Sequence, residues 1–256
     1  MQYSTKYKYV NDREEKLVVV HPDKRLLFFE RGVGMKWILW LLKVWRLTLG
    51  GLLCAVLMLA GCEGGGDSHL GDGHDFGPND PDLYVALGDS ITAGSGLASP
   101  SDCYTVKLAG MLSKTVINKG FPGYSSGEAL DVLYPILDDY QPGYMLILIG
   151  VNDLIMGYGT EVAAVNIQIM VQACKDNKTI PVIATLTPTF GSYARLSGDV
   201  GVLNEKIKQI ASDFGAALVD LNSAFDSDLI YMQTDGLHPN ETGHALMAIT
   251  FYDVVK

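Results

Sequence analysis

The chain has 256 residues, with 19 Lys and Arg against 29 Asp and Glu, a net charge of −10. That balance argues against a nucleic-acid backbone binder, which needs a basic face to displace counterions, and an apolar fraction of 48% is too high for a disordered chain. Charge divides the sequence: residues 1–62 carry ten Lys/Arg and five Asp/Glu, a net of +5, whereas 63–256 carry nine and twenty-four, a net of −15.

Residues 1–34 are polar and mixed in charge, with Asp12, Arg13, Glu14, Glu15 and Lys16 in succession. Export signals begin at or near the start of a chain. Met35 therefore reads as the functional start, and 1–34 as an over-extended reading frame or a short cytoplasmic extension, outside the fold either way. Residues 35–61 read as a signal peptide. Lys36, Lys43 and Arg46 form its basic part, and Leu47 to Ala60 is an uncharged run, shorter than the ~20 apolar residues that span a bilayer. It ends in Leu59-Ala60-Gly61-Cys62, which resembles the lipobox of bacterial lipoproteins. The resemblance implies cleavage before Cys62, a lipid on its thiol, and export to the cell envelope, at its periplasmic face or the cell surface. An uncleaved anchor recruiting Trp37 to Leu42 is the alternative, and Lys43 and Arg46 interrupt that longer span.

Residues 62–82 read as the lipidated Cys and a flexible tether. Glu63 to Asp82 holds six Gly and six acidic residues, too little apolar surface to offset its ordering entropy. His69 and His74 lie among Asp67, Asp72 and Asp75, which invites a metal-site reading; a solvated spacer is the plainer one. Of the four cysteines, Cys54 leaves with the signal and Cys62 is lipidated. Cys103 and Cys174 are expected as unpaired buried thiols on helices at opposite faces of a sheet.

Residues 83–256 form one domain in which strand and helix patterns alternate. Leu83–Leu87, Thr115–Asn118, Met145–Ile149, Pro181–Leu186 and Ala216–Val219 read as strands. Between and after them, Val106 to Leu112, Gly127 to Asp139, the 162/165/169/173 and 203/207/210/214 apolar series, and Asn240 to Val255 read as helices. Helix-length gaps mean right-handed crossovers and a parallel sheet covered on both faces. Ligand chemistry in such a sheet sits at the carboxyl ends of the strands.

Four segments fall around those ends. Gly88-Asp89-Ser90 follows the first strand, Gly120-Phe121-Pro122-Gly123 the second and Gly150-Val151-Asn152-Asp153 the third, and Asp235-Gly236-Leu237-His238-Pro239 precedes the last helix. Each alone is ordinary turn or cap chemistry; the ordered set is not. Serine needs an adjacent base to act as a nucleophile, and histidine has the pKa for that task. An Asp three residues before a His can orient the imidazole, as Asp235 can for His238. His244 lacks such an Asp and reads as a helix-surface residue.

The set resembles the SGNH/GDSL hydrolase family across 83–256. The resemblance implies a flavodoxin-like three-layer αβα sandwich on a five-stranded parallel sheet. It also implies Ser90 as nucleophile, His238 as general base and Asp235 as its orienting acid. The oxyanion hole would be the Ser90 N–H, the Gly123 N–H and the Asn152 side-chain amide. No cofactor or metal is implied.

Gly123-Tyr124-Ser125-Ser126-Gly127 also fits the G-x-S-x-G elbow of α/β-hydrolases. That fold places several strands before its nucleophile, and Ser125 would leave Ser90 and Asn152 without a role. The expected function is a lipid-anchored serine hydrolase of carboxylic esters, with short acyl chains preferred. A lysophospholipase or thioesterase remains open within the class, and a non-catalytic ligand-binding lipoprotein outside it. Expected partners are an ester of a small molecule, polysaccharide or lipid, and the membrane through Cys62. Substrate choice falls to loops Leu154–Thr160, Thr187–Gly198 and Asn222–Thr234, with Met156, Tyr158, Phe190, Tyr193 and Tyr231.

Overall fold

The computed structural model describes residues 16–20, 26–30 and 69–256, and the chain divides into two units, Met1–Gly66 and Asp67–Lys256. In the first, β1 (Lys16–Val20) pairs antiparallel with β2 (Leu26–Glu30), Lys16 opposite Glu30. A β-branched run, a Pro-Asp break and an aromatic run are hairpin signals that a reading of 1–34 by charge alone overlooks. The expected signal peptide, Cys54 and the lipidated Cys62 lie outside the described residues.

The second unit contains five parallel strands: β3 (Asp80–Gly88), β4 (Thr115–Gly120), β5 (Pro142–Leu148), β6 (Ile180–Ala184) and β7 (Ala217–Val219). Their order is β4-β3-β5-β6-β7. All five expected strands are present, with ends moved by at most three residues. Every residue of β5 is buried, as its continuous apolar run requires of a central strand.

Eight α-helices accompany the sheet among the described residues: α1 (Ser90–Ala93), α2 (Tyr104–Leu112), α3 (Ser126–Tyr140), α4 (Val151–Ile155), α5 (Thr160–Asp176), α6 (Ser197–Phe214), α7 (Leu221–Phe225) and α8 (Glu241–Val255). Helices α2 and α8 pack together on one face, and α3, α5 and α6 form a row on the other. The chain runs outward from β3 to β4 and then crosses to β5 on the other side of β3. The connections leaving the adjacent carboxyl ends of β3 and β5 therefore run to opposite sides, the switch point at which open α/β sheets bind ligands. Cys103 and Cys174 are buried and unpaired.

Two expectations are corrected here. The flexible tether does not extend to Asp82, because from residue 69 the chain lies on the domain, near the amino ends of β5 and β6. Tyr144 donates its hydroxyl to the Leu70 carbonyl at 2.6 Å, and the Phe76 ring lies 5.6 Å from that of Tyr144. Asp75 pairs with Lys178 at 2.6 Å, and the His74 ring meets the Lys178 carbonyl at 3.0 Å. Buried Asn79 donates to Asn177 O at 2.6 Å. Composition misses this because a few well-placed side chains find ready partners on the sheet. Among the described residues, no group of three His, Cys, Asp or Glu is placed to hold a metal ion.

The second correction concerns His244, which is buried rather than on the helix surface. It falls on the stripe of His244, Met247, Ala248, Phe251 and Val255 that α8 turns to the core. Its Nδ1 accepts the Tyr104 N–H at the start of α2, at 3.2 Å.

Candidate active site

The end of β3 leads directly into α1. Asp89 is the N-cap, its carboxylate accepting the Ile91 N–H at 2.9 Å. Ser90 is thus the first residue of a helical turn, and its N–H has no acceptor within that turn. Asp89 is buried, which pushes its carboxyl up to about 7, against the hydrogen bond from Ile91.

The histidine loop is folded back on itself. Met232 and Pro239 form an antiparallel bridge, and the Gln233 N–H donates to the His238 carbonyl at 2.8 Å. Gly236 has φ +77° and lies where a Cβ would come within 2.5 Å of the Phe190 carbonyl, so only glycine fits. The Phe190 N–H donates to the Gly236 carbonyl at 2.7 Å, tying this loop to the segment after β6.

These constraints bring Ser90, His238 and Asp235 together. His238 Nε2 lies 2.9 Å from Ser90 Oγ, and its Nδ1 2.5 Å from Asp235 Oδ2. The other carboxylate oxygen accepts the Leu237 and His238 N–H groups at 2.9 and 3.1 Å. Burial pulls the Asp235 carboxyl upward, but the hydrogen bonds from the His238 ring and the two N–H groups outweigh it and leave the group below its ordinary range. An Asp-bound Nδ1–H leaves Nε2 as the acceptor facing Ser90 Oγ, the tautomer a general base needs.

The loop that carries Gly123 is joined to Asn152 through Tyr124. The loop after β4 is held to the end of β3 by the Phe121 N–H, which donates to the Gly88 carbonyl at 2.9 Å. Asn152, in the first turn of α4, is buried, and its Nδ2 donates one hydrogen to the Tyr124 carbonyl at 2.9 Å. A side-chain amide has two such hydrogens. Gly123 lies next to that carbonyl, exposed, with φ +84°. Neither Gly123 nor Asn152 hydrogen-bonds to Ser90 directly.

Ser125 does not join the His238 constellation. Its hydroxyl donates to Glu128 at 2.7 Å, and its N–H reaches the same carboxylate oxygen at 2.9 Å, a capping box at the start of α3. Asp153 is a residue that the sequence reading missed. Its buried carboxylate accepts the Ser126 N–H and hydroxyl at 2.8 and 2.7 Å, tying α4 to the start of α3, and burial raises its carboxyl. An Asn-Asp pair after a strand suggests only a local cap, so its long-range partner leaves no signal in the sequence.

Residues 86–246 match the model of the GDSL-like lipase/acylhydrolase family. The chain is 24% identical to the thioesterase 1/protease 1/lysophospholipase L1 of Escherichia coli K12 over 180 residues, 65% of this chain and 80% of that protein. It is 28% identical to an arylesterase of Vibrio mimicus over 166 residues, 60% of this chain and 78% of that one. Among solved structures, a lipolytic protein of the G-D-S-L family from Veillonella parvula superposes with a TM-score of 0.61 at 20% identity, covering 67% of this chain and 97% of its own. The match to the family model spans more than half of the sequence and takes in the Ser90, Asn152 and His238 segments: the chain belongs to the GDSL-like lipase/acylhydrolase family and is a carboxylic ester hydrolase.

Proposed function

We propose that this enzyme is a lipid-anchored serine esterase of the cell envelope, acting on short-chain esters through Ser90, His238 and Asp235. The observation that carries the reading is the pair of hydrogen bonds at 2.9 and 2.5 Å joining Ser90 to His238 and His238 to Asp235. Ser90 Oγ attacks the ester carbonyl carbon while its proton passes to His238 Nε2. The carbonyl oxygen takes up the negative charge and is met by the Ser90 and Gly123 N–H groups and by the free hydrogen of the Asn152 amide. Collapse of the tetrahedral adduct breaks the bond to the alcohol, which leaves with the proton from Nε2. Water, deprotonated by the same nitrogen, then releases the acid and restores Ser90. Asp235 holds the imidazole and stabilises its charged form throughout.

A fluorophosphonate probe tests the chemistry. Wild-type protein should label on Ser90, and Ser90→Ala should lose both labelling and nearly all turnover; labelling that persists in Ser90→Ala refutes the assignment. Anchoring rests on Leu59 to Cys62, and intact-mass analysis should find an acylated Cys62 as the mature N-terminus. A thioesterase or lysophospholipase reading of the same site is supported by the E. coli relative. Parallel assays on acyl thioesters, lysophospholipid and p-nitrophenyl esters separate these substrates.

A further inference from the structure

We propose that Gln233 is a positioning residue, holding the histidine loop in register with the serine loop so that His238 Nε2 meets Ser90 Oγ. The inference rests on the reading of Ser90 and His238 as nucleophile and base.

The Gln233 side-chain amide donates both of its hydrogens, to the Ser95 and Pro239 carbonyls, each at 2.9 Å. Ser95 is itself clipped to the nucleophile, its N–H donating to the Ser90 carbonyl at 3.0 Å. Pro239 adjoins His238, and the Gln233 N–H binds the His238 carbonyl at 2.8 Å. A continuous strap thus runs from the Ser90 backbone through Ser95 and Gln233 to the His238 backbone. It closes a ring whose last bond is Ser90 Oγ to His238 Nε2. Among the described residues, the hydrogen bonds between segments 90–96 and 232–239 are these two: the catalytic contact and Gln233 to Ser95.

The chemistry of the strap calls for this side chain. Both acceptors are carbonyls, so the head group must offer two donors, and a carboxylate offers none. The same two carbonyls fix which end of the amide faces them. The serine loop leaves room for it: at Gly96, with φ +83°, a Cβ would come within 2.2 Å of Gln233 Oε1. Two other fastenings of the histidine loop, Phe190 to Gly236 and Asn240 to Met232, lead to the segment after β6 and to the start of α8. Neither reaches the serine loop. A misplacement of about 1 Å between reacting groups costs on the order of 10²-fold in rate.

The test uses the whole chain with p-nitrophenyl acetate, and active sites counted by stoichiometric fluorophosphonate labelling, so that misfolded protein does not enter the rate. Gln233→Leu should lower kcat per labelled site by about 10- to 100-fold with KM within about twofold. Gln233→Glu keeps the size and loses the donors; it should do the same, and it carries the test if Gln233→Leu does not fold. In a His238→Ala background, which lacks the base that labelling needs and is normalised instead to folded protein by circular dichroism, Gln233→Leu should cause no further loss of the residual turnover, because its effect acts through His238. A fall in kcat per site of less than about fivefold, or an equal fall in the His238→Ala background, overturns the proposal. If Ser90→Ala retains turnover, the underlying mechanism fails; if Ser90→Ala is dead and Gln233→Leu is unimpaired, only the role of Gln233 fails.

Discussion

Ser125 and Glu128 satisfy each other at the start of α3: one carboxylate oxygen takes both the Ser125 hydroxyl, at 2.7 Å, and its N–H, at 2.9 Å. A hydroxyl committed in this way caps a helix, while the His238 imidazole is bonded to Ser90 instead. Ser125→Ala should therefore lower stability by about 0.5–2 kcal/mol while kcat and probe labelling stay near wild type. Thermal melts and ester kinetics on the one variant check both halves. Loss of labelling in Ser125→Ala would return the elbow motif to contention.

Much of this was legible in advance, for physical reasons that differ by residue. The apolar run of β5 reads as a strand buried on both faces, and the placement of Ser90 and Asn152 at strand ends, and of His238 just before the last helix, follows from the alternation of elements. The capping box was also present in the sequence as Ser125-x-x-Glu128, a signal that the elbow pattern overlies. His244 was legible too, on the apolar stripe of α8, but spacing to an acid was the wrong criterion for burial. Gln233 and Asp153 were not legible. Their partners, Ser95 and Ser126, lie far along the chain, and one polar side chain in a loop carries no periodicity to read.

Asn152 has one amide hydrogen committed to Tyr124 and one free for an oxyanion. The charge it meets is absent from the ground-state ester. Asn152→Ala should therefore lower kcat by roughly 10²–10³ with little change in KM. Steady-state kinetics on p-nitrophenyl acetate decide this: a defect confined to KM would make Asn152 a binding residue.

Short acyl chains should be preferred, though on fewer residues than the loops first suggest. Met156 and Tyr158 are 47% and 56% exposed and do not narrow a cleft. Phe190, held by its backbone to the histidine loop, and the stacked Phe121–Tyr124 pair flanking Gly123, with ring centroids 4.7 Å apart, are the bulky groups on the segments that carry the site. Across p-nitrophenyl esters from acetyl to palmitoyl, kcat/KM should peak at acetyl or butyryl. A maximum at palmitoyl would contradict this.

Acid stability should depend on His244. Burial lowers its pKa from 6.5 to about 4, and the nearby Lys107 acts in the same direction. Nδ1 accepts the Tyr104 N–H, so a proton placed there would face a donor inside the core. Between about pH 4 and 6.5 the unfolded chain binds the proton and the folded one does not. Stability from this group is therefore complete above 6.5 and falls as the pH drops toward 4, by up to about 3 kcal/mol. Buried Asp89 works in the opposite direction. Its carboxyl moves from 3.8 up to about 7, so the folded state binds the extra proton there and stability falls as the pH rises through that range. In wild type these two contributions oppose each other. His244→Gln removes one of them. Its packing cost applies at every pH, but its stability at pH 4.5 relative to pH 7.5 should improve over wild type by about 1–3 kcal/mol. Urea midpoints at the two pH values supply the comparison, and an unchanged difference between them would mean that His244 does not titrate from its buried site.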